Sequence, residues 1–162
     1  ASTLALREAE AAGYSTQAAV ESQLLAQARG RPVDELEGVE LQFRLFDAAT
    51  PAVQQAFLVE TLDSVASGAA RREVSEIARA WAHGDEAAVR AVLAEMQADP
   101  APGARFMAEQ LIAGRHAAML ERIEYFTQQG GLPLVAVGSL HLFGAQGLIE
   151  ALQRRGWRVT RV

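Results

Sequence analysis

The sequence predicts an α/β, helix-rich fold: a small parallel or mixed sheet ending in a carboxyl-terminal β-loop-α-β unit, covered by a helical layer. Three observations predict it. Residues 134–137 form an apolar, partly β-branched run between Pro133 and Gly138, the pattern of a short strand covered on both faces. Gly144 and Gly147 open an apolar helix that Gly156 stops, and the alternation over residues 157–162 reads as a second strand. Upstream, apolar residues recur at helical spacing between glycine and proline breaks.

Taken in order, residues 2–12 are an alanine-rich helix with Leu4 and Leu6, ended by Gly13. The next helix starts at residue 15 or 16 and runs to Gly30, with Ala18, Leu24, Leu25 and Ala28 on one face. Residues 31–36 are expected as a weakly patterned strand, followed by a helix over 40–48 with Leu41, Phe43, Leu45 and Phe46. Thr50 followed by Pro51 is a cap with proline at the first helical position, starting a helix through Val53, Phe57, Leu58, Leu62 and Val65 that Gly68 ends. Residues 69–83 continue with Val74, Ile77 and Trp81 inward, and Asp85 caps a helix carrying Val89, Val92, Leu93 and Met96. After the break between Asp99 and Gly103, a helix over 104–128 carries the stripe Leu111, Ile112, Met119, Ile123 and Phe126. The last helix, 145–155, is expected to join parallel strands at 134–137 and 157–160. The length predicts one domain over residues 1–162, in which the helices of 50–99 could cap a site.

Composition narrows the function classes. The formal charge is −5 and the basic residues are dispersed, which gives no footprint for nucleic acid. Without cysteine there is no disulfide or thiolate site, and no apolar run reaches the roughly 18 residues of a transmembrane segment.

His141 follows the predicted strand 134–137, where an open parallel sheet presents polar residues to its ligand crevice. There it could bind metal, act as a base, or simply cap the following helix, while Gly138, Gly144 and Gly147 let the loop turn tightly. Glu37 holds the equivalent position after residues 31–36, as metal ligand, general base or charge partner, or as an ordinary helix-start carboxylate. Arg115 falls inside the apolar stripe of helix 104–128, so it either snorkels to solvent or needs an anion, because an unpaired buried guanidinium costs several kcal/mol. His116 lies at the edge of that stripe.

The segment Gly138-Ser139-Leu140-His141, with Gly144, Gly147-Leu148 and Gly156-Trp157-Arg158-Val159, resembles the carboxyl-terminal signature of the TraB/PrgY/GumN family, which includes the Tiki proteases and carries a GxxH motif in this setting. Residues 31–37, followed by Gln42-Phe43 and Leu45-Phe46-Asp47, resemble the family's "KPV..LE" strand and "Q..LFD" continuation; Arg115-His116 with Met119 and Ile123 resembles its "RN..M...I" helix. The resemblance spans roughly residues 19–162 and makes Arg115 a site residue; it also marks Glu21 as a recurrent acidic position. It implies a metal-dependent hydrolase, peptidase among the Tiki relatives, acting on a peptide or small-molecule substrate. Glu37 and His141 would hold manganese, cobalt or zinc, and Arg115 would stabilise the oxyanion. Export to the periplasm or beyond is implied in the same way.

One departure stands out: the family's first GxxH, on an amino-terminal strand, has no counterpart in this chain. The expectation is therefore a chain starting partway into the family's domain, with an incomplete metal site and at most weak activity alone. The alternatives are a non-catalytic binding or regulatory module around Arg115 and His141, and a fragment completed by its amino-terminal half or by a second copy through strand addition.

Overall fold

Local capping signals set the helix starts. In the computed structural model, which describes residues 2–130 and 132–162, the Thr50 hydroxyl accepts the Val53 N–H at 3.4 Å and Pro51 opens the helix Pro51–Ala66. Asp85 does the same for the helix Glu86–Ala98 by accepting the Ala88 N–H at 3.0 Å. The helices are α1 (Ser2–Ala11), α2 (Val20–Ala28), α3 (Val39–Ala48), α4 (Pro51–Ala66), α5 (Ala69–Ala82), α6 (Glu86–Ala98), α7 (Pro102–Phe106), α8 (His116–Gln128), α9 (Ser139–Leu142) and α10 (Leu148–Arg154).

One layer is helix on helix. α4 packs against α1, α5 and α7, and α6 packs against α5 and α7. Phe46, Phe57 and Phe106 interlock at centroid distances of 5.4 to 5.7 Å, and the Glu60 carboxylate accepts the Gly103 and Ala104 N–H groups that open α7. The second layer is built on α8 and α10, whose Met119, Leu120, Ile123, Leu148 and Ala151 form one buried cluster. Leu36, Val135, Val137 and Leu152 rest on it. Arg90 clips the layers together: it pairs with Glu86 on its own helix and with Glu150 of α10, both at 2.8 Å, and lies over the Phe143 ring.

The expected sheet is absent: among the described residues there is no strand, so the α/β class and the β-loop-α-β unit are both corrected to a helical fold. Residues 132–138 keep the period-two alternation of an extended chain, with Leu134 and Ala136 exposed and Val135 and Val137 half-buried. They have no ladder because their expected partner runs elsewhere. Residues 157–162 are drawn to the α5–α6 turn, where Arg161 donates to the Gly84 carbonyl at 2.6 Å. Residues 31–36 are likewise irregular, held to α8 by Asp34 and Arg122 at 3.6 Å.

Two smaller expectations also change. Trp81 is 61% exposed instead of inward, because Ala80, one residue earlier and about 100° around the helix, takes the buried position. The helix expected over 104–128 is interrupted by a π-helical turn, Met107–Ile112, and a 3₁₀ turn, Ala113–Arg115. Gly114 fits this junction because a Cβ there would meet the Glu109 carbonyl at 2.9 Å. Among the described residues, no helix is long and apolar enough to cross a membrane.

Candidate functional site

Four of the predicted site residues form two linked pairs. Leu36 anchors on the α8–α10 cluster and carries Glu37 down with it, so that its carboxylate is only 4% exposed. Arg115 ends the 3₁₀ turn directly above. Its Nε and Nη2 donate to Glu37 Oε2 at 2.9 and 2.6 Å, and its Nη1 donates to the carbonyl of Leu111 inside the π-helical turn at 3.1 Å. Every guanidinium nitrogen is engaged. Glu37 Oε1, by contrast, is buried without a hydrogen-bond partner among the described residues. An orphaned carboxylate oxygen is costly, a state this atom shares with Glu150 Oε2.

His116 follows Arg115 as the first residue of α8 and is 5% exposed. Its Nδ1 lies 2.6 Å from the Gln146 carbonyl and its Nε2 lies 3.0 Å from His141 Nδ1, with the two rings edge to face at 5.2 Å. His141 sits in the short helix α9, placed by the Gly138 carbonyl, which accepts the His141 N–H at 2.9 Å. Burial, then the nearby Arg115 charge and His116, push the His141 pKa down to about 4, so it is neutral near neutral pH. Burial also lowers His116, against the opposing pull of the Gln146 carbonyl.

Gly144 and Gly147 build the loop that presents Gln146. Gly144 has φ +88, and a Cβ there would meet Leu93 at 2.8 Å, while at Gly147 it would run into the carbonyls of Leu142 and Phe143. Glu21 is elsewhere, exposed in the first turn of α2, with no hydrogen bond or ion pair to the cluster. Gln146 acts through its backbone carbonyl, of which side-chain chemistry gives no sign; the Gly144–Gly147 spacing is the trace it leaves in the sequence. It also lines a cleft of about 680 Å³ with Asp99, Arg105 and Glu109, but Glu37, Arg115 and His141 do not line that cleft.

Metal fits this donor set poorly. Glu37 Oε1 and His141 Nε2 are the donor atoms of this cluster without a protein partner, the first of them buried, and among the described residues no group of three His, Asp or Glu comes together for an ion. Zinc sites normally use three protein ligands.

No curated protein and no solved structure matches the chain. A family model, described as the TraB/PrgY/gumN family, matches residues 1–161, which contain the whole of this cluster. The chain belongs to the TraB/PrgY/gumN family.

Proposed function

We propose that this chain is a hydrolase-type member of its family, cleaving an amide or ester bond of a peptide or small molecule at the Glu37–Arg115–His116–His141 patch. The observation that carries the reading is the linkage, through the consecutive residues Arg115 and His116, of a buried carboxylate with one unpartnered oxygen and a neutral histidine whose Nε2 is unbonded. In this reading His141 Nε2, which is not sealed from solvent, takes a proton from the attacking water, and the buried Glu37 holds Arg115 in place beside the histidines. Arg115 works as a strut: with each nitrogen already engaged, it fixes Glu37 instead of meeting the oxyanion. That same engagement weighs against a binding module built on an open arginine.

Manganese, cobalt or zinc would polarise the scissile bond or the water, but two donors do not define a resident site. The test is hydrolysis of a peptide library by the whole chain, with and without each of these ions. Activity should fall about 10²-fold or more in His141→Ala and in Glu37→Gln. Undiminished activity in both variants would contradict the reading.

A further inference from the structure

The two histidines are joined by a hydrogen bond whose direction is dictated from one end. A carbonyl only accepts, so at 2.6 Å from the Gln146 oxygen His116 Nδ1 must carry a hydrogen. His116 is 5% exposed beside the permanently charged Arg115, an environment that disfavours a second cation, so its Nε2 carries the lone pair. The 3.0 Å contact to His141 Nδ1 can then be made only by a hydrogen on the His141 side. His141 Nε2 is thereby left unprotonated. That atom has no hydrogen-bond partner among the described residues and is not sealed from solvent, so its lone pair is available to a proton or an ion.

We propose that His116 is a positioning residue which, held by the Gln146 carbonyl, locks His141 in the Nδ1–H tautomer and so presents the His141 Nε2 lone pair to the site. A solvated histidine favours the opposite tautomer, with hydrogen on Nε2, in which that nitrogen could neither accept a proton nor bind an ion. The loop shares in the device. Gly147 packs where no Cβ fits, its N–H donates to the Gly144 carbonyl at 2.8 Å, and the carbonyl between them is fixed toward His116. The spacing of the two glycines and the burial of His116 therefore serve one purpose.

The inference rests on the proposed role of His141, but its test uses neither substrate nor metal. The chain has three histidines, so the ring nitrogens of ¹⁵N-labelled protein can be assigned individually at about pH 7.5, above the ordinary histidine range. The wild type should show His141 protonated on Nδ1 alone, together with a ¹⁵N–¹⁵N coupling across the hydrogen bond from His141 Nδ1 to His116 Nε2. His116→Leu should shift His141 toward the Nε2–H form. His116→Gln should restore Nδ1–H, because its amide offers a donor for the Gln146 carbonyl and an acceptor for His141. An Nε2–H wild type, a missing coupling, or an unchanged tautomer in a folded His116→Leu variant overturns the proposal; should that variant not fold, the wild-type coupling and tautomer still decide. An intact clamp in a chain without hydrolytic activity would remove the proposed function and leave the clamp standing.

Discussion

Between α4 and α7 the backbone is satisfied within each helix and by caps from Thr50, Asp85 and Glu60, while residues 31–38, 132–138 and 157–162 have neither helix nor ladder. The first region is held by apolar packing around Ala80, Val89, Leu93 and Phe106. The second has no ladder: Leu36, Val135 and Val137 rest on the α8–α10 cluster, and side-chain ties join Glu37 to Arg115, Asp34 to Arg122 and Arg161 to Gly84, with the His116–His141–Gln146 contacts beside them. The difference teaches where sensitivity lies. A packed helical layer spreads its stability over many contacts, whereas a site assembled from unladdered segments concentrates it in a few polar pairs.

The largest effect expected is at Arg115. Arg115→Ala strands the Glu37 carboxylate, only 4% exposed, without its partner, and should lower unfolding free energy by about 4 kcal/mol in urea titration. Arg115→Lys should recover only part of this, since an ammonium cannot reproduce the two donors on Glu37 Oε2 and the third on Leu111. Next comes Leu93→Ala in the helical layer, at about 3 kcal/mol, because Leu93 is 3% exposed and its loss leaves a cavity. A loss at Leu93 greater than that at Arg115 would blur the contrast between the regions.

The third effect is pH dependence. His141 titrates near 4 when folded and near the ordinary 6.5 when unfolded, so the unfolded chain takes up the proton first. Stability is therefore complete above about pH 6.5 and is lost as pH falls toward 4, by about 2 kcal/mol after solvent screening. Unfolding midpoints for wild type and His141→Gln should diverge across that window, and parallel curves would sink the claim. The smallest effect belongs to Leu134→Ala. With 79% of Leu134 exposed, truncation should cost no more than about 0.5 kcal/mol, measurable as a nearly unchanged melting temperature.

What the sequence made legible is what local chemistry decides. The caps at Thr50 and Asp85 follow from side-chain oxygens that reach their own helix N–H groups, and Gly68, Gly144 and Gly156 take positive φ where a break was read. Arg115 was readable as needing an anion because its neighbours at helical spacing are apolar, and Glu37 meets it. The sheet was not legible. Alternation at residues 134–137 reports an extended, half-covered chain, but a strand needs a partner, and pairing is decided far away in sequence; here residue 161 lies at the α5–α6 turn, where its side chain donates to the Gly84 carbonyl. The π-helical turn at Met107–Ile112 leaves no periodic trace, and the burial of His116 depends on a backbone carbonyl thirty residues on.

The site side of the molecule is held by side-chain packing and polar ties and not by a backbone ladder, and amide hydrogen exchange reads that directly. The amides of Val135 and Val137 should exchange close to the unprotected rate while those of Leu120 and Ile123 in α8 are slowed by several orders of magnitude. Slow exchange at Val135 and Val137, matching α8, would reveal a ladder and contradict this arrangement.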